Sequence, residues 1–219
     1  MFRLLATLVL CTCCVASAAD LTLKVTDKAP PSEINESIRG LLQPKAVQLL
    51  EGDKPVIELW LAKELNLQSK PSSPATALDA LKQTTVLGAA SFASPRKDYR
   101  EDEIAKGVYT VRFAQQQQDG NHLGTAEFTS FAVLVPAKLD PGADAIKDYK
   151  QLVNTSSKET STDHPMVISL RPVTSVEGDF PQIATPAPEH KSVRVKIPGK
   201  GADTSPVVFD IIYEGKGHK

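Results

Sequence analysis

Apolar side chains in this chain recur at every second position in short runs, and proline, glycine and serine cut the runs apart. Period two sends successive side chains to opposite faces of an extended strand, so each run can bury one face. The clearest pair lies between Gly107 and Ala137. Tyr109, Val111 and Phe113 share one face of the first run, with Thr110 and Arg112 on the other. On the return run Phe131, Val133 and Val135 share a face, and Pro136 ends it. These six apolar residues are the expected core of a central hairpin. Its connection, Gln115 to Glu127, is long, since hairpin loops usually take about two to five residues.

The same pattern recurs along the chain. Leu21 to Thr26 alternates cleanly. Ala46–Leu50 and Pro55–Leu65 flank Glu51-Gly52-Asp53-Lys54, a hairpin turn, with Ile57, Leu59 and Leu61 on one face and Trp60 on the other. Thr84–Phe92 reads as a strand with Gly88 at a bulge. Met166–Leu170, Val193–Ile197 and Val207–Tyr213 are further strands.

Two segments carry helical spacing instead. After Pro30-Pro31, Ser32 is a suitable N-cap, Glu33 and Glu36 suit the positive end, and Ile34, Ile38, Leu41 and Leu42 share a face that would cover one end of a sheet. Pro44 closes this helix. A second begins at Pro141-Gly142 and carries Ile146, Tyr149 and Val153 on one stripe. Ala77–Lys82 forms a helical turn after a Ser/Pro-rich loop. Ser94–Lys106 and Arg171–Glu189, the latter with four prolines, read as exposed connections. About nine strands, two or three short helices and no βαβ alternation predict a mostly β fold, an Ig-like or cupredoxin-like antiparallel β-sandwich.

The first nineteen residues stand outside that pattern. Met1-Phe2-Arg3 is a short basic start, Leu4–Val15 is apolar or small, and Ala16-Ser17-Ala18-Ala19 offers small residues for cleavage between Ala19 and Asp20. This is the pattern of a secretory leader, too short for a stable membrane anchor. Residues 20–219 are then expected to form a single β-sandwich domain, long enough to stand on its own core. All three cysteines (Cys11, Cys13, Cys14) lie in the leader, so the mature chain offers no disulfide and no thiolate. Without the leader, 24 Lys and Arg face 26 Asp and Glu, scattered and without a basic stripe, which speaks against a nucleic-acid partner. No later segment reaches the roughly 20 apolar residues of a transmembrane span.

Chemistry-bearing motifs are sparse. There is no Gly-x-Ser-x-Gly elbow, phosphate loop, His-Glu-x-x-His or EF-hand, so no enzyme is expected. Four histidines occur, and two sit in shaped surroundings. His122 lies in Asp119-Gly120-Asn121-His122-Leu123-Gly124, and His164 in Asp163-His164-Pro165-Met166. If the two loops met at one end of the sandwich, Asp119, His122, Asp163 and His164 would offer two imidazoles and two carboxylates, a set suited to zinc or copper(II). Met166 would add a soft donor for copper(I), whereas a blue-copper site lacks its thiolate. The plainer reading makes Asp119 a turn acceptor and His122 a strand cap. Trp60 is either a sugar-stacking platform or packing beneath a neighbouring segment. Asn35-Glu36-Ser37 and Asn154-Thr155-Ser156 match glycosylation sequons, which matter only in a eukaryotic secretory pathway.

Gly107-Val108-Tyr109-Thr110 with Arg112, Asp119-Gly120 with His122, Gly124 and Thr125, Leu134-Val135-Pro136-Ala137, and His164-Pro165 together resemble a family of uncharacterised secreted bacterial proteins. The resemblance runs from the Pro30-Pro31 helix to His164-Pro165. It implies bacterial export to the periplasm or outside the cell and an ordered Asp119–Gly124 loop. It implies no activity. Three functional expectations follow. One is a non-enzymatic binding or structural module whose end loops hold a protein or glycan partner, with no cofactor. The second is a copper- or zinc-binding protein built on His122 and His164. The third is a carbohydrate-binding module using Trp60 or Tyr109.

Overall fold

A computed structural model of the chain describes residues 21–97, 102–116, 129–160, 164–187 and 190–215. The leader, with its Ala19–Asp20 junction, lies outside these residues. Among the described residues strands take 48% and helices 14%, so the fold is mostly β. The strands are β1 (Thr22–Thr26), β2 (Ala46–Glu51), β3 (Lys54–Leu61), β4 (Leu65–Leu67), β5 (Val86–Phe92), β6 (Arg96–Lys97) and β7 (Glu103–Ile104). They continue with β8 (Gly107–Gln115), β9 (Ser130–Pro136), β10 (Met166–Pro172), β11 (Gln182–Ala187), β12 (His190–Ile197), β13 (Gly199–Gly201) and β14 (Val207–Glu214). The α-helices are α1 (Glu36–Arg39) and α2 (Tyr149–Ser156).

Ten strands form one ladder in the order β1-β2-β3-β5-β8-β9-β10-β14-β12-β11. Every pairing in it is antiparallel. Strand β10 turns the corner. Its first half, Met166–Ser169, pairs with β9, and its second half, Leu170–Pro172, pairs with β14. A strand that leaves one sheet for another lets the ladder fold over itself. The sandwich therefore comes from a single long sheet, with β14, β12 and β11 laid across the rest.

The main core fills the space between. It takes Val47 and Leu49 from β2, Ile57, Leu59 and Leu61 from β3, Val111 and Phe113 from β8, Ile168 and Leu170 from β10, and Val193, Val195, Val207 and Phe209 from β12 and β14. These positions keep the period-two spacing of their strands, as alternation toward one buried face requires. The larger half of the sheet is also covered outside. Ile34, Ile38 and Leu42 pack on Trp60, Val86 and Ala89. Ile146 and Leu152 pack on Ala114, Val133 and Val135.

That outer layer corrects the expected central hairpin. Its pairing holds, Tyr109 opposite Pro136 and Gln115 opposite Ser130. Tyr109, Val111 and Phe113 face the main core, but Phe131, Val133 and Val135 face the opposite way, toward α2. Ala132 and Leu134 are the residues of β9 that face the main core. Strand β9 is buried on both faces, so apolarity alone could not say which face was which.

Local signals explain the helices. Asn35, not Ser32, is the N-cap of α1: its Oδ1 accepts from the Ser37 backbone N–H at 3.0 Å. The helix is a single turn, and Leu41 points outward, 45% exposed. Asp148 caps α2 by accepting from the Gln151 N–H at 2.8 Å. The expected exposed connections contain structure of their own. Arg96–Lys97 (β6) pairs with Glu103–Ile104 (β7), with Ile104 buried, and residues 182–187 form edge strand β11. Pro186 is compatible with that strand because β11 stands at the sheet's edge, where one side of the backbone needs no ladder partner.

Candidate functional site

Polar groups come together at several places among the described residues; one is closed to solvent and a second is partly exposed. In the first, Arg112 on β8 points to the outer side of the sheet with a fully buried side chain. Its Nε donates to Asp140 Oδ2 at 2.7 Å, and one terminal nitrogen donates to Asp140 Oδ1 at 2.8 Å and to the Gly142 carbonyl at 2.7 Å. The other terminal nitrogen donates to the carbonyls of Thr84 at 2.9 Å and Ala143 at 3.2 Å. A guanidinium has five N–H donors, and this set uses them all. Thr110 also donates its hydroxyl to Asp140. Thr84 has φ 73°, a left-handed conformation rarely adopted by β-branched residues, and this helps aim its carbonyl at Arg112. With no free donor and no solvent path, the cluster fastens residues 140–146 to the sheet. In the second, Asp210 on β14 is buried and pairs with Arg194 of β12 at 2.7 and 3.1 Å, which raises the Arg194 pKa chiefly through this hydrogen bond.

The third place is open. Strands β1 and β11 end the ladder and approach within 8 Å, Cα to Cα, but share no pairing. Along this seam a cleft of about 260 Å³ is lined by Val25, Gln43, Lys45, Val47, Leu61, Phe180, Pro181 and Lys196. Its wall is positioned by the strands. Val25 pairs with Val47, and Val47 with Leu59, which sets Val25, Val47 and Leu61 on the inner side of neighbouring strands. Gln43 is fixed by donating its amide N–H to the Ala62 carbonyl at 2.9 Å, so its Oε1 is left as an acceptor. Lys196 donates to the Val176 carbonyl at 2.9 Å and lies 5.4 Å from the centre of the Phe180 ring. Val25 and, on β11, Ile183 are unusually exposed for apolar residues, at 44% and 38%.

A second opening lies toward the β6–β7 pair, lined by Leu49, Ile57, Phe92, Arg96 and Ile104 among others. Its free volume is about 20 Å³, room for one water. Arg96 Nε is buried there without a hydrogen-bond partner.

Of the expected metal ligands, Asp119, His122 and Asp163 lie outside the described residues. His164 is exposed just before β10, and its backbone carbonyl accepts from the Thr160 hydroxyl at 3.1 Å. Met166 is turned into the core between the sheets. Among the described residues no three His, Cys, Asp or Glu side chains converge. Trp60 is fully buried and donates Nε1–H to the Lys28 carbonyl at 2.9 Å, and Tyr109 is 5% exposed. Neither presents a ring for sugar stacking. Asn35 of the first sequon spends its amide on the cap and on the Pro141 carbonyl.

Sequence reading missed the cleft. Its residues come from β1, the turn before β2, the inner faces of β2 and β3, the Phe180–Pro181 step and β12, each unremarkable alone. The only local signal was the aromatic–proline pair inside a stretch read as a connection. No family model, no curated protein and no solved structure matches the chain. No helix among the described residues is long and apolar enough to cross a membrane.

Proposed function

We propose that this protein is an exported, non-enzymatic binding module that takes its ligand in the cleft between β1 and Phe180–Pro181. The leader-like first nineteen residues and the resemblance to secreted bacterial proteins support export to the periplasm or outside the cell. The observation that carries the reading is the contrast between the two openings: about 260 Å³ at the seam against about 20 Å³ at the other. The seam cleft also offers both kinds of contact, with the apolar Val25, Val47, Leu61 and Phe180 beside the polar Gln43, Lys45 and Lys196.

Val25 offers the test, because its exposure tolerates a larger side chain. Amide chemical shifts of the mature chain are recorded with a library of small fragments. Binding fragments are expected to move the resonances of Val25, Val47 and Leu61, and Val25→Trp, which fills the cleft, is expected to remove those shifts while the thermal midpoint holds. Shifts that cluster elsewhere, or that survive Val25→Trp, would refute the site.

A further inference from the structure

The chemistry of the seam cleft identifies a class of ligand, on the premise that this cleft is the binding site. Its lining carries two lysines and no carboxylate. Among the described residues Lys45 makes no hydrogen bond or ion pair, and Lys196 uses one donor on the Val176 carbonyl. An ammonium has three donors, so Lys196 keeps two. Three other exposed lysines sit against carboxylates, Lys28 by Glu58 at 2.7 Å, Lys138 by Glu159 at 2.7 Å and Lys200 by Glu64 at 2.6 Å. In this cleft two cations line one cavity with no counter-charge among its walls.

Size and wall chemistry narrow the class. An apolar cavity of about 150 Å³ accepts a benzene ring. The seam cleft, at about 260 Å³, holds a body of that size and a short polar head. Val25, Val47, Leu61 and the Phe180 ring supply the apolar contact. We infer that the cleft binds a small organic carboxylate with an apolar body about the size of a phenyl ring, its carboxylate held by Lys45 and Lys196 and its body against Val25, Val47, Leu61 and Phe180.

Calorimetric titration of the mature chain with 3-phenylpropionate, its neutral amide and propionate tests this. The carboxylate with a ring is expected to bind about tenfold tighter than the amide, the increment of one favourable charge contact at a partly exposed site. That advantage should shrink as salt shortens the screening length from about 10 Å to about 3 Å. Propionate should bind most weakly. The pair Lys45→Met and Lys196→Met, both exposed positions that keep an unbranched stem, should equalise acid and amide. Equal affinity for acid and amide in the native chain overturns the carboxylate assignment and leaves the cleft as a binding site. Loss of all three ligands together with absence of fragment shifts at the cleft overturns the site itself.

Discussion

Removing Asp140 is the most informative single perturbation of the scaffold. Arg112 and Asp140 are both fully buried at their side chains, so water cannot replace a lost partner. Asp140→Ala takes two charge-assisted bonds from Arg112, one hydrogen bond from the Thr110 hydroxyl and one from the Gly142 N–H. Breaking a buried pair by deleting one partner costs about 3–5 kcal/mol, because an uncompensated charge stays behind. By contrast, the exposed Lys138–Glu159 pair is worth less than about 1 kcal/mol. For a chain of this size the expected loss is about 6–20 °C in the thermal midpoint. Arg112→Met should cost a similar amount, since the carbonyls of Thr84, Gly142 and Ala143 lose their donors at about 1 kcal/mol or more each. The double variant Arg112→Met/Asp140→Ala leaves those carbonyls orphaned but no charge. It is expected to cost about as much as either single change, a coupling of about 3 kcal/mol or more. Urea unfolding of the four proteins measures this cycle. Single costs below about 1 kcal/mol, or strict additivity, would refute the account of the cluster as a charge-sealed fastening.

Two further outcomes follow from the core. Gly88→Ala would set a Cβ against the Trp60 carbonyl oxygen on the adjacent strand, where backbone must move, so folding should fail or the thermal midpoint should fall by more than Trp60→Phe lowers it; circular dichroism on both variants checks this. Burial first, and the charge of Glu159 second, raise the Tyr109 pKa above 10.0, and its hydroxyl donates to the Ala105 carbonyl at 2.8 Å. The native state thus holds the phenol proton after the unfolded chain releases it, so stability is full below pH 10.0 and falls as pH rises beyond it. Tyr109→Phe should flatten that fall, and an unchanged alkaline limb would refute the assignment.

Much of the scaffold was legible because local rules and tertiary structure agree. The Glu51–Lys54 turn appears between β2 and β3, with Gly52 at φ 60°. The bulge expected at Gly88 appears as a register shift between Val86 and Gly88. Ile57, Leu59 and Leu61 line the main core while Trp60 packs outside it. Legibility failed where burial is two-sided or where partners are remote. The face of β9 was ambiguous because both sides are apolar. Strand β11 was hidden by Pro186, and the β4–β13 pair joins Leu65–Leu67 to Gly199–Gly201, a parallel match no nearby turn could announce. The Arg112 site was read as the polar face of a strand; only the fold brings Asp140 and three carbonyls to it.

The cleft follows from the one thing this sheet does not do. A ladder that closes into a barrel has no edges, and its interior is sealed by continuous backbone pairing. Here the ladder bends at β10 and returns, so β11 comes beside β1, but the last pair does not form. Each edge carries features that discourage pairing with another chain: β1 has five residues with Lys24 on it, and β11 has Pro186 and a register break between Ala184 and Ala187. Those same features keep the two edges from zipping to each other. The gap exposes the inner-face residue Val25 and lets Phe180 and Lys196 approach from the opposite half of the sheet. Pairing β1 to β11 would therefore abolish the cleft without touching its lining. A proline-free β11, Pro186→Val, strengthens that edge and is expected to weaken fragment binding at the seam even though residue 186 does not line the cavity.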